Sequence, residues 1–348
     1  MSWLTTALAA MERGWIPDAL IRAGIRHLCA ARLRECRIAG DEGTKRFLAE
    51  MRNAPIAPLP ARANAQHYEL PPEFFALALG PRRKYSCCYY PPGVDDLATA
   101  EEAALAATCE RAELIDGQQI LELGCGWGSL TLWMAERYPH SQITAVSNSA
   151  PQRRHIETTA SARGLTNVRV LTADMNDFAA ESATFDRVVS VEMFEHMRNY
   201  ERLLERIATW LRPDGKLFVH IFCHRRFAYP FETEGEENWM GRHFFTGGLM
   251  PSVDVFASFA RHLHVARQWE WDGTHYQRTS EAWLRNLDEH RREAEVILTR
   301  VAGPTEGRLL FHRWRVFYLA VAELFGYAGG SEWFVSHYLL EPTDVAAC

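Results

Sequence analysis

Several absences narrow this chain before any motif is read. No stretch of about 18 residues is apolar and free of charge, so no stable membrane insertion is expected. The opening Met1–Met11 is apolar, but no basic residues lead into it and Glu12 and Arg13 end it; it reads as a helix rather than a secretory leader. None of the eight cysteines (Cys29, Cys36, Cys87, Cys88, Cys109, Cys125, Cys223 and Cys348) forms a C-x-x-C pair, so no metal site is expected. With nothing pointing to secretion, reduced thiols in a cytoplasmic protein are the expectation. A basic excess is missing too: 38 Lys and Arg stand against 44 Asp and Glu, a net charge of -6, which argues against a nucleic-acid partner. The local cluster Arg82-Arg83-Lys84 is either solvated surface or an anion contact. Internal repeats and low-complexity segments are absent. What remains is 348 residues that are 47% hydrophobic and 24% charged, enough for one large α/β domain with helical additions.

Residues 1–60 read as a helical extension. Between Ala19 and Leu33 apolar positions recur every three or four residues, with arginines opposite, until Pro55, Pro58 and Pro60 break the pattern. Residues 61–99 form a polar and aromatic segment containing Gln66–Phe75 and Tyr85–Tyr90, expected to be a lid or pocket wall or else a packed surface loop. From 100 to 224 the pattern is α/β. Helices at 100–112, 130–138, 150–164 and 200–211 alternate with strands at 119–123, 142–146, 168–172, 185–191 and 216–222. That spacing implies a mostly parallel, Rossmann-like sheet covered on both faces. Residues 225–348 read as a mostly helical cap insertion over 225–315 with a closing strand at 333–340.

The richest segment is Leu121-Glu-Leu-Gly-Cys-Gly-Trp-Gly128, a strand that runs into a glycine turn and then directly into a helix. Glycines let a backbone approach a ligand closely and adopt positive φ, and a helix N-terminus offers free N–H groups. Glu122 lies two residues before Gly124, and Gly124 and Gly126 belong to a G-x-G-x-G spacing rather than G-x-G-x-x-G. That form suits S-adenosyl-L-methionine better than a dinucleotide pyrophosphate. The second strand ends without the acid that binds ribose in dinucleotide folds, so Asn148 and Gln152 would supply the polar contacts. After the third strand, Asp174 could accept from an adenine amino group or cap the following turn, with Met175 packing on the ring. Val191, closing the fourth strand, is expected beside the same ligand.

Strand C-terminal ends face the ligand crevice of an open α/β sheet, so Glu192, Glu195 and His196 should emerge there. A protonated amine has no lone pair with which to attack a methyl group. A carboxylate–imidazole pair could take or hold that proton, and a carboxylate would attract a cationic substrate.

Further motifs run through nearly the whole chain: Gly14–Ile21, His67–Pro71, Lys84–Tyr89, Glu192–Tyr200, Phe222–His224, Phe244–Gly248, Met250–Ser252, Ala322–Tyr327 and Glu332–Phe334. Together they resemble the branch of the cyclopropane-fatty-acid synthase superfamily that holds the coclaurine and pavine N-methyltransferases. The resemblance implies a Rossmann-like class I methyltransferase that uses S-adenosyl-L-methionine and releases S-adenosyl-L-homocysteine. Its substrate would be a small amine, aromatic or tetrahydroisoquinoline-like, with Glu195 and His196 managing the amine proton. By position it also assigns Tyr85 and Ser86 to a cofactor lid, Tyr85 touching the substrate as well, and Trp314 and Phe317 to the amine pocket. Helical spacing alone equally allows those two aromatics to be core. In the fatty-acid branch the matching glutamate, a histidine placed here at His224 and the tyrosine at Tyr276 hold a bicarbonate that acts as base. Ala322 stands near where many lipid cyclases carry a cysteine, which counts against cyclopropanation.

The alternative of the same class is a cyclopropane-fatty-acyl-phospholipid synthase, which would need a membrane-docking surface that the acidic net charge does not favour. The alternative of another class is a non-catalytic Rossmann binding protein, which has no need of a proton acceptor at Glu195–His196. The oligomeric state is open, a homodimer included.

Overall fold

Strands that are apolar on both faces must be covered on both sides, and the central segments of this chain fold accordingly. The computed structural model describes residues 3–59 and 70–343. We number the principal elements as follows: α1 Trp3–Glu12, α2 Asp18–Arg52, α3 Pro72–Ala78, α4 Leu97–Arg111, β1 Gln119–Leu123, α5 Ser129–Arg137, β2 Gln142–Ser147, α6 Ala150–Ala162, β3 Val168–Thr172, β4 Phe185–Val191, α7 Tyr200–Trp210, β5 Leu211–His224, β6 Leu263–Trp271, α8 Gly273–Glu289, α9 Arg291–Ala302, α10 Pro304–Gly326 and β7 Trp333–Pro342.

The seven strands lie in one sheet in the order β3-β2-β1-β4-β5-β7-β6. β1 to β5 pair in parallel, and β7 runs antiparallel between β5 and β6. Strand order reverses beside β1, so the crevice beyond the carboxyl ends of β1, β2 and β4 is where a ligand belongs. Helix starts follow from local chemistry: Asp96, Ser149, Asn199 and Asp272 each accept from a backbone N–H of the turn they open. In α7, Tyr200, Leu203, Leu204 and Ile207 repeat at helical spacing and are fully buried. Among the described residues, no helix is long and apolar enough to cross a membrane.

The expected strands at 119–123, 168–172 and 185–191 coincide with β1, β3 and β4. The extension is helical, and one region beyond it differs from expectation. The extension is dominated by one long helix, α2, interrupted at Gly40, where φ is 60°. Within 225–315, read as helical, β6 extends the sheet by one strand. The register of β6 shifts between Val265 and Arg267, and most of its residues are at least partly exposed. Leu263, Val265, Trp269 and Trp271 alternate with more polar residues, but Arg267 interrupts the pattern where the register shifts. The His67–Pro71 motif lies partly outside the described residues.

Candidate active site

The glycine loop does what its composition requires. Gly124, Gly126 and Gly128 have φ of 81°, 51° and 81°, and the N–H groups of Gly124 and Cys125 both donate to the Val146 carbonyl, 3.0 and 3.1 Å away. The loop is thereby tied to β2, and α5 begins at once with no side chain capping its N-terminus. Beside it opens a cleft of about 650 Å³ lined by Gly124, Gly126, Asn148, Gln152, Met175, Glu192 and His196. A Cβ added at Gly126 would meet nothing within 4 Å, whereas one at Gly124 would strike the Met193 side chain at 2.7 Å. Gly126 therefore leaves open space for a ligand, and Gly124 allows close packing of the reaction end.

Polar groups in the cleft fit a nucleoside. Ser147 stands where dinucleotide folds carry an acid, and its Oγ donates to Gln152 Oε1 at 2.6 Å. Gln152 Nε2 is buried without a partner among the described residues, a donor ready for a ribose hydroxyl. Asp174 serves its own turn, with Oδ1 accepting from the Asn176 N–H at 2.8 Å, while Met175 faces the cleft. The Asn176 amide clasps Ala57, accepting from its N–H at 3.0 Å and donating to its carbonyl at 2.8 Å. Ala57 thus joins the cleft wall from the proline-rich segment after α2, as Met193 and Met197 do from the segment after β4. Sequence reasoning missed all three.

Across the loop a second cavity, of about 540 Å³, holds Tyr85, Ser86, Glu122 and Val191 and shares Gly124, Gly126 and Glu192 with the first. Lys84 is buried, and its Nζ donates to Ser86 Oγ at 2.5 Å and to the Cys87 carbonyl at 2.6 Å. Glu122 lies beneath the loop, where burial pushes its carboxyl up to about 8 and Thr131 Oγ1 donates to it.

The reaction end is built around Glu192. Its φ of 48° is unusual for a residue with a side chain and marks local strain. Tyr276 Oη donates to Oε2 at 2.7 Å, and the Cys87 N–H donates to Oε1 at 2.9 Å. His220 Nε2 is 3.2 Å from Oε1. Burial raises the Glu192 carboxyl, opposed by Lys84, the Cys87 N–H, Tyr276 and His196. Glu195 is wholly buried; Oε1 accepts from the Phe222 N–H at 3.0 Å, and Oε2 has no partner among the described residues. Burial and the Glu192 charge hold it well above the usual carboxylate range. His196 lies against Phe245, with ring planes 8° apart, and burial lowers its imidazole to about 4, so it is neutral at physiological pH.

Two placements correct the sequence reading. The histidine beside Glu192 is His220, not His224. His224 ends β5, where Nδ1 accepts from the N–H groups of Arg226 and Phe227, both at 2.9 Å, and shapes the following turn. The two residues are four apart on one strand, so composition and alternation give no basis for choosing between them. Trp314 and Phe317, which helical spacing left open as core or pocket, are packed in the core. Each is under 5% exposed, with ring centroids 5.5 Å apart on α10. From them the rings form a continuous arc, Tyr85–Trp314–Phe244–Phe317–Phe245–His196, in which every neighbouring pair lies within 6.3 Å. The arc thus runs from Tyr85, beside the glycine loop, to His196, which lines the cleft with Glu192.

Known proteins resemble this chain over most of its length. Residues 59–319 match the mycolic acid cyclopropane synthetase family. (S)-Coclaurine N-methyltransferase of Thalictrum flavum subsp. glaucum is 38% identical over 342 residues, covering 96% of this chain and 94% of that protein. Pavine N-methyltransferase of the same plant is 34% identical, covering 80% and 79%. The crystal structure of coclaurine N-methyltransferase bound to N-methylheliamine and SAH (S-adenosylhomocysteine) superposes with a TM-score of 0.93 at 35% identity, covering 98% of this chain and all of that one.

Proposed function

The chain belongs to the mycolic acid cyclopropane synthetase family and is an S-adenosylmethionine-dependent methyltransferase; from that premise we propose that it methylates the nitrogen of a small aromatic amine, of the tetrahydroisoquinoline kind. The observation that carries the reading is the aromatic arc from Tyr85 to His196, which ends on His196, a residue that lines the cleft together with Glu192. Such rings accommodate a flat amine and attract its cation by roughly 0.5–2 kcal/mol.

Bound S-adenosylmethionine supplies an electrophilic methyl group carried on a sulfonium. The glycine loop, Asn148, Gln152 and Met175 would hold its nucleoside and amino-acid portions, with Glu122, Val191, Tyr85 and Ser86 on the lid side and Asp174 fixing the turn that presents Met175. Glu192, whose donors favour the charged form against the burial that raises its carboxyl, would attract the ammonium form of the substrate once ionised. Glu195 takes the proton. It does so only in its ionised form, so its own proton must leave first: burial, and after it the Glu192 charge, hold it protonated, and an incoming cation opposes both. His196, neutral because it is buried, accepts a hydrogen bond from the amine and orients the lone pair. Tyr276 steadies Glu192, and Trp314 and Phe317 shape the amine compartment.

The test is incubation with methyl-labelled S-adenosylmethionine and a panel of tetrahydroisoquinolines and arylethylamines, with phospholipid vesicles in parallel. Label on the amine nitrogen is expected. Cyclopropane formation in the vesicles with no labelled amine would overturn the reading.

A further inference from the structure

Behind Glu192 a chain of hydrogen bonds leads away from the reaction end. His220 on β5 and His337 on β7 are register partners, both wholly buried, and His337 Nε2 lies 2.8 Å from His220 Nδ1. His337 Nδ1 lies 2.8 Å from Nη1 of Arg111, the last residue of α4. The Arg111 guanidinium sits over Trp269 and Trp271 of β6, 5.5 and 5.2 Å from their centroids.

The polarity of this chain follows from its far end. A guanidinium only donates, so His337 Nδ1 must present its lone pair and its ring proton must be on Nε2. That proton points at His220 Nδ1, which must then accept, leaving the His220 proton on Nε2, directed at Glu192 Oε1. We propose that Arg111 is a positioning residue for Glu192, acting through His337 and His220 by fixing the tautomer of both imidazoles so that His220 donates to the carboxylate. The inference rests on the reading of Glu192 as part of the reaction end.

The chain is not an exit path for the amine proton, because the guanidinium at its end cannot take one. Both imidazoles are held neutral, chiefly by burial and further by the positive charges of Lys84 and Arg111. His220 also faces Trp271, and His337 faces Trp271 and Phe218. Arg111 is additionally near Tyr89 and Glu110, and Glu192 faces Lys84, Tyr276, Glu195 and His196. Without Arg111, the opposite tautomer would turn a His220 lone pair toward Glu192. Repulsion would then favour the protonated acid and delay its ionisation to higher pH.

Nitrogen-15 spectroscopy of the imidazole rings tests this without any substrate, so it stays informative if the amine assignment fails. His220 and His337 are identified by signals lost in His220→Gln and His337→Gln. In the wild type, both rings should be neutral with the proton on Nε2 across the neutral range; a cationic ring or a proton on Nδ1 at either position would overturn the proposal. In Arg111→Met the single tautomer should be lost, and kcat/KM at neutral pH should fall about tenfold to a hundredfold, as for loss of a hydrogen bond to a charged group. The acid limb of its pH profile should move upward while the KM for S-adenosylmethionine is unchanged. Arg111→Lys, which keeps a donor, should restore tautomer and profile. Unchanged tautomers in Arg111→Met would refute the idea, and if that variant does not fold, the wild-type spectrum still decides it.

Discussion

The two ends of the crevice are built on different principles. At the β1–β2 end, contiguous backbone does most of the shaping: three positive-φ glycines within five residues, a helix start, and N–H groups tied to Val146. At the β4–β5 end, side chains converge from Lys84–Cys87, Glu192–His196, His220, Tyr276 and α10. A backbone site is sensitive to any added atom, whereas a side-chain site is sensitive to the protonation and orientation of particular groups. Substitutions at the two ends should therefore separate cofactor affinity from turnover.

The largest effect is expected at the side-chain end. Glu195→Gln should lower turnover by about 10²–10⁴-fold, the usual contribution of a general acid–base group, while cofactor affinity measured by calorimetry is largely spared. The pH dependence has a definite sign. Only the ionised carboxyl accepts a proton, and its pKa is raised, so wild-type activity should fall as pH drops through a limb well above the ordinary carboxylate range. The Glu195→Gln deficit should shrink at high pH, where solvent deprotonates the amine. Equal loss at every pH would leave Glu195 a purely structural acid.

At the backbone end, Gly126→Ala should weaken S-adenosylhomocysteine binding about tenfold or more, since the new methyl enters open cleft space, and should cost about 1–2 kcal/mol of stability because Gly126 stands at positive φ. Gly124→Val should weaken binding and stability together, because its side chain displaces Met193. If Gly126→Ala bound the cofactor normally, the division between the two ends would fail.

Trp314→Phe should give a smaller effect, a severalfold rise in KM for an aryl amine with the cofactor KM unchanged. Alanine is a poor probe there, since emptying so buried a tryptophan site costs about 3–5 kcal/mol of stability. The smallest effect is expected from the histidine that shares β5 with His220. His224→Gln should leave kcat/KM within about threefold, the scale of one ordinary hydrogen bond, because His224 Nδ1 accepts from the turn after the strand and Nε2 lies toward Glu332 rather than Glu192. A large loss with intact stability would return His224 to the site.

How far each end was legible follows from the same contrast. The glycine loop, strands β1, β3 and β4, and the position of Glu192–His196 at a strand end were readable because each is a local pattern in contiguous residues. β6 was not, since Arg267 and a bulge interrupt its alternation at mid-strand. Ala57 was not, because its place in the cleft depends on the Asn176 amide more than a hundred residues away. Of the two histidines on β5, only strand pairing shows which one meets Glu192.

What the sequence determined by itself was therefore the order of strands and helices from β1 to β5, the backbone conformation of the cofactor loop, and the kinds of acid and base at the reaction end. These depend on residue identity and short spacing. Which carboxyl stays protonated, which histidine is a partner and which tautomer it takes were decided by tertiary structure. A protonation state depends on burial and on neighbouring charge, and Arg111, Glu192, His220 and His337 become neighbours only when α4, β4, β5 and β7 are packed together.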